Sequence, residues 1–99
     1  MIELKAIVEI NMFTSEESGK IRGYKNGVRP NHYIHELGCT VIGQVDFGED
    51  GGIELGETKL AEITYFYWEP LEKLLCPGLQ YEVREGSRIV GKALVKRVL

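Results

Sequence analysis

The sequence predicts an all-β fold, an antiparallel barrel or sandwich, and three observations carry that expectation. Six segments rich in β-branched and aromatic residues are separated by breaks containing Gly, Pro, Asp or Ser. The first of them, residues 2–13, alternates apolar and polar side chains at period two. No stretch is long enough for a stable helix, since the best helical run, LEKLL within residues 69–77, is too short to hold by itself. Six strands with no long helix, in a chain of 99 residues, leave barrel and sandwich both open.

In the first segment Ile2, Leu4, Ala6, Val8, Ile10 and Met12 share one face. Glu3, Lys5, Glu9 and Asn11 share the other, interrupted by Ile7, so the first face belongs on a core. Thr14–Gly27 is polar and rich in Gly and Ser, and reads as a loop. Val28–His35 predicts a second strand, with Pro30 suiting its first residues or an edge. A third, Cys39–Phe47, alternates through Cys39, Val41, Gly43, Val45 and Phe47. Gly48–Gly52 is an acidic turn whose glycines supply positive φ.

Thr58–Trp68 is long, aromatic and β-rich, the expected central strand of the second half. Alternation puts Tyr65 and Tyr67 on one side and Phe66 and Trp68 on the other. One pair belongs to the core; an exposed Tyr pair beside Glu69 would suit a protein interface better than a phosphate backbone. Glu69–Pro77 predicts one turn of helix or a structured loop, and Pro77-Gly78 a turn. Tyr81–Val83 and Ile89–Val98, joined by Arg84-Glu85-Gly86-Ser87-Arg88, read as a β-hairpin. Apolar residues in both registers of its second strand predict cover on both sides, and Gly91 and Ala93 suit close backbone approach.

Composition narrows the function classes. At 43% hydrophobic and 27% charged residues the chain has the make-up of one soluble domain. No apolar run approaches the roughly 20 residues that span a bilayer, and the acidic, alternating N-terminus is unlike a signal peptide, so a cytoplasmic location is expected. Cys39 and Cys76 have neither zinc spacing nor a disulfide framework, and predict two buried, reduced thiols. His32 and His35, three apart on a strand, fall on opposite faces, which is poor geometry for one metal. Glu16-Glu17 and Glu49-Asp50 lie in loops as solvated pairs. No GxxxxGK[ST] phosphate loop and no nucleophile–base pair is legible. The expectation is therefore no enzyme, no nucleotide, no metal and no cofactor. A net charge of −3 disfavours nucleic acid, although Lys92, Lys96 and Arg97 crowd the last strand.

Arg84-Glu85-Gly86-Ser87-Arg88-Ile89-Val90-Gly91 resembles the REGGRTVG stretch that closes the C-terminal β-barrel domain of the elongation factor Tu family. Tyr81, Val83, Val95, Lys96, Val98 and Leu99 extend the likeness along the hairpin, and Glu69-Pro70 falls where that family has HP. Arg29-Pro30 and Tyr33 match its RPQFY, with Asn31 for Gln and His32 for Phe. The resemblance covers nearly the whole chain and implies a single six-stranded antiparallel β-barrel over residues 1–99, standing alone without the family's GTPase domain. In the family this barrel helps hold the T-stem backbone of aminoacyl-tRNA and packs on the GTPase domain. The tRNA-contact segments are altered here. The family's Arg-Thr pair becomes His35-Glu36, REGG becomes Arg84-Glu85-Gly86-Ser87, and Glu36 would repel a phosphate.

The resemblance thus implies a retained barrel whose tRNA site is eroded. The expected function is a non-enzymatic protein-binding module, either a binder of translation-machinery components, a dedicated immunity-type inhibitor of a toxin, or a self-associating barrel. The alternative is a residual tRNA/RNA-binding module using Lys92, Lys96, Arg97 and Arg88. The expected partner face is Arg29, Asn31, His32, Tyr33, His35, Glu36 and the turn Gly86, Ser87, Arg88, with Tyr33 as aromatic anchor. On the bland reading Arg29 and Arg88 merely pair with Glu36 and Glu85 at the surface.

Overall fold

Period-two alternation in the first segment becomes a strand, β1 (Glu3–Met12), in the computed structural model, which describes residues 3–99. Ala6, Val8, Ile10 and Met12 are buried, and Leu4 packs against them half-buried. Ile2, expected on the same face, lies outside the described residues. A short helix α1 (Ser15–Ser18), then β2 (Tyr24–Lys25), β3 (Asn31–Ile34) and β4 (Cys39–Asp46) follow. A 3₁₀ turn at Gly48–Asp50 leads to β5 (Gly52–Ile53) and β6 (Thr58–Phe66). The chain ends with α2 (Glu69–Leu74), β7 (Gln80–Glu85) and β8 (Arg88–Val98).

Six of these strands close into the expected antiparallel barrel, in the order β1-β6-β4-β3-β7-β8, with β2 and β5 paired as a separate two-stranded sheet. β1 closes the ring because both of its edges are used: Val8 lies opposite Ala61 of β6 and Val95 of β8. Closure leaves none of the six strands with a free edge, and alternation then fills the interior with every second side chain. Val45, Ile63, Tyr65, Tyr81, Val83, Val90 and Val95 are among the other strand residues buried in the core. Gly91 is where β8 crosses close to β1: a Cβ there would lie 2.7 Å from the Asn11 carbonyl oxygen. The β7–β8 turn has Gly86 at φ 62 followed by Ser87, which is not at positive φ, the Gly-first pattern of a two-residue hairpin.

Several boundaries differ from expectation, each for a local reason. Thr14–Gly27 is not all loop. Thr14 caps α1 with a reciprocal box to Glu17, and Tyr24-Lys25 pairs with Gly52-Ile53. The second strand begins at Asn31 rather than Val28, because Pro30 offers no N–H to the ladder. The long aromatic strand stops at Phe66, since Trp68 turns into α2 as its N-cap with Pro70 in the first turn. β8 is buried on its inner side; on the outer side Leu94 is half-buried, while Lys92, Lys96 and Arg97 stand in solvent. Cys76 is exposed and Cys39 half-buried, so neither is the buried thiol expected.

Val8 tests this packing directly. Val8→Asp would place an unpaired carboxylate in the barrel interior, at a cost of several kcal/mol, comparable to the whole stability of a small domain. The expected outcome is loss of the cooperative thermal transition in circular dichroism; an unchanged melting temperature would overturn the assignment of this face to the core.

Candidate partner-binding face

The cross-strand register decides which of the expected site residues stand together. On the outside of the barrel Arg84, Asn31 and Ile42 are successive partners across β7, β3 and β4. The β4–β6 register, fixed by Gly43 opposite Tyr65, carries the row on to Phe66, and Phe66 lies opposite Glu3 of β1. A second row runs Arg29, Gln44, Thr64, Lys5; Arg29 donates from Nε to Gln44 Oε1 at 3.1 Å. A third holds Glu82, Tyr33 and Thr40. Trp68 extends it, because its extended backbone (φ −152, ψ 124) keeps it on the side of Phe66.

The middle of this surface is apolar and open: Phe66 is 56% exposed, Ile42 50% and Trp68 43%. A shallow cavity beside Phe66 is lined by Glu3, Arg29, Ile42, Gln44 and Thr64. The rim is polar and held in place. The Arg84 guanidinium lies 3.9 Å from the Tyr33 ring centroid and binds Glu82 Oε1, with Nε at 2.9 Å. The bond from Arg84, aided by His35 at 3.4 Å, holds the Glu82 carboxyl below its ordinary range.

Of the nine residues expected on a partner face, Arg29, Asn31 and Tyr33 lie on this surface. The register of β3 with β7, continued past Asn31–Arg84, brings the turn Gly86-Ser87-Arg88 beside Arg29. His35 and Glu36 are exposed, but in the turn at the opposite end of β3. His32 is a correction: it faces inward and is fully buried, so its side chain is not presented to a partner. The surface pairings also differ from those expected. Arg29 bonds Gln44, while Glu85 takes Lys20 at 2.9 Å and the Tyr24 hydroxyl at 2.7 Å. Burial opposes ionisation of Glu85, yet Lys20 and Tyr24 keep its pKa below the ordinary value. This bridge ties the segment after α1 to the hairpin.

The aromatic run resolves differently from either expected pair. Tyr65 alone is core, its hydroxyl 2.8 Å from that of Tyr81, whereas Phe66, Tyr67 and Trp68 are exposed. Ile42, Phe66 and Arg84 were not singled out as site residues. The available signal was the inward series Ala61, Ile63, Tyr65, which leaves Phe66 pointing out. Among the described residues no cluster of His, Cys, Asp or Glu is placed to hold a metal ion.

No protein-family model matches the chain. Elongation factor Tu 2 of Streptomyces avermitilis is 33% identical to it over 89 residues, 90% of this chain and 21% of that protein. The chain is an elongation factor Tu-like barrel. It spans about a fifth of the length of that curated relative. The elongation factor Tu-like barrel fills its interior with an unusual group for a hydrophobic core. His32 Nε2 lies 3.1 Å from the Gly43 carbonyl, and the ring meets Tyr65 and Tyr81 edge-on at 5.7 and 5.1 Å. A carbonyl can only accept, so Nε2 carries the proton and the buried Nδ1 has no partner. Gly43 makes the room: a Cβ there would lie 2.8 Å from His32 Nε2.

Burial drives the His32 pKa down to about 4, partly offset by the Gly43 bond. The unfolded chain takes up this proton near its ordinary pKa of about 6.5 and the folded barrel does not. The neutral His is therefore fully tolerated above about pH 6.5, and stability falls as pH drops toward 4, by up to about 1.4 kcal/mol per pH unit. Denaturant midpoints between pH 6.5 and 5, above most carboxylate titrations, are expected to decline in the parent chain and to flatten in His32→Gln. An equal slope in both proteins would show that His32 is not the titrating group.

Proposed function

We propose that the chain is a non-enzymatic protein-binding module of the cytoplasm, using the outer face of β3, β4 and β6 as its contact surface. The observation that carries this reading is the exposed apolar row Ile42–Phe66 with Trp68 beside it, framed by Arg29, Asn31, Tyr33 and Arg84. Apolar anchors inside a polar rim are the anatomy of a protein interface. Likeness to a translation factor supports a role beside the translation machinery, and the same surface would serve an inhibitor that caps a toxin. The chain carries no phosphate-loop motif, so neither role involves nucleotide hydrolysis by this barrel.

RNA binding is the second reading, favoured by exposed Lys92, Lys96 and Arg97 on β8. The register works against it: Lys92 lies opposite Glu82, and Leu94 lies opposite Glu9. Basic and acidic groups interleave there, where a phosphate track needs an uninterrupted basic stripe.

Capture from cell extract followed by mass spectrometry tests the protein reading. Phe66→Asp and Arg29→Glu should each leave the melting temperature within a few degrees and reduce the captured partner at least tenfold, about 1.4 kcal/mol. Undiminished capture by Phe66→Asp would place the contact elsewhere. Steep loss of capture between 50 and 200 mM salt, about a thousandfold or more and abolished by ribonuclease, would favour the RNA reading instead.

A further inference from the structure

One row of the face sets cations around neutral hydrogen-bond donors. Arg29, just ahead of β3, stands in line with Gln44 of β4, Thr64 of β6 and Lys5 of β1. Gln44 Oε1 accepts the Arg29 Nε–H, which leaves the Gln44 amide nitrogen as a donor, and the Thr64 hydroxyl beside it is a second. Arg29, Gln44 and Thr64 line the shallow cavity together with Ile42 and Phe66 of the row above. Among the described residues Arg29, Lys5 and the neighbouring Arg88 enter no ion pair, although the chain carries a net charge of −3. The row is cationic at both ends, rich in donors between them, and walled along one side by apolar groups.

We propose that this row holds an Asp or Glu side chain of an extended segment of a partner protein, whose apolar side chain two residues away sits on Ile42 and Phe66; this rests on the reading of the face as protein-binding. Alternate residues of an extended chain point to one side and stand about 6.8 Å apart, the same step as between the rows of this face. A segment running along the strands therefore sets one side chain on each row. The row beyond Ile42 and Phe66 holds Thr40 with Trp68 and takes a second apolar residue. The matching pattern is apolar-x-apolar-x-acidic. Its carboxylate accepts from Gln44 and Thr64 and lies between the charges of Arg29 and Lys5. Glu3, at the edge of the same cavity, repels any further negative charge. A nucleic-acid strand carries a charge at every phosphate and brings no apolar side chain to Ile42 and Phe66, whereas a protein segment supplies one carboxylate and apolar neighbours together.

The two parts of the contact do different work. Arg29, Lys5 and Gln44 are exposed, and ion pairs in solvent are individually weak. The carboxylate therefore sets selectivity, at about threefold to fivefold over a neutral isostere, while the apolar anchors supply most of the affinity.

Titration of the isotope-labelled chain with an end-capped synthetic peptide, Ser-Trp-Thr-Leu-Thr-Glu-Ser, and with its analogue carrying Gln in place of Glu, tests the proposal by chemical shift. The expected result is saturable shifts at the Gln44 side-chain amide, the Arg29 Nε–H and the Ile42 and Phe66 backbone amides. The Gln analogue should bind at least about threefold more weakly. Arg29→Met should remove most of that difference and Glu3→Gln should tighten the acidic peptide, with circular dichroism confirming that both variants fold. Absence of saturable shifts, equal affinity for the two peptides, or a difference that survives Arg29→Met combined with Lys5→Met would overturn the acidic segment as occupant. A short RNA hairpin that displaces the peptide more effectively than unlabelled peptide does would assign the row to phosphate and overturn it as well. The wider reading is decided separately. If capture from extract depends on Phe66 while the two peptides are not told apart, the face binds a protein of different chemistry; if capture is indifferent to Phe66, the face itself is wrong.

Discussion

Closure of the ring through β1 is the constraint on which the rest of this structure depends. β1 is paired along both edges, with β6 and with β8, so its even-numbered side chains have nowhere to go but the interior. Once that strand is fixed, the pleat assigns an inside and an outside to every residue of the other five. The inside is filled by aliphatic residues, a hydrogen-bonded pair of tyrosines and one neutral histidine. The outside inherits whatever remains, and on β3, β4 and β6 what remains includes Ile42, Phe66 and Trp68. A small barrel has no free strand edge to offer a partner, so recognition has to use a face or a loop.

His32 shows how tightly interior and exterior are linked. Its ring occupies the place that Gly43 leaves empty, and its Nε2–H answers a carbonyl of β4. The same strand pair carries Asn31 and Ile42 on the outer side. The hydrogen bond that fixes β3 on β4 from within therefore also sets the alignment of the outer row. A polar group in an apolar interior is costly when unpaired, and here only Nδ1 lacks a partner. Neutrality makes this tolerable, since in the Nε2–H tautomer Nδ1 is a lone pair and not an orphaned donor.

Most of the fold was legible because period-two alternation is strong in β1, β4 and β6, and because the hairpin of Arg84–Gly91 resembles that of a known barrel family. Short or locally directed elements were harder. Tyr24–Lys25 is too brief to show a period, although the box of Thr14 and Glu17 before it is a readable helix start. The site was only half legible. Arg29, Asn31 and Tyr33 share a strand and could be grouped from sequence, but Ile42 and Phe66 join them only through register, which links residues 24 apart and has no local signature. His32 was misplaced because its polarity suggested a surface; its spacing from Ile34, two residues on and also buried, is the clue that alternation supplied.

We propose that a partner binds on the outer face of β3, β4 and β6. Amide chemical-shift mapping of the isotope-labelled chain, as captured partner is added, tests this directly. Shifts concentrated at Asn31, Ile42, Phe66 and their row neighbours are expected, with Lys92–Arg97 and the β2–β5 sheet unmoved. Shifts concentrated on β8 or on the β2–β5 sheet, with the Ile42–Phe66 row silent, would contradict it.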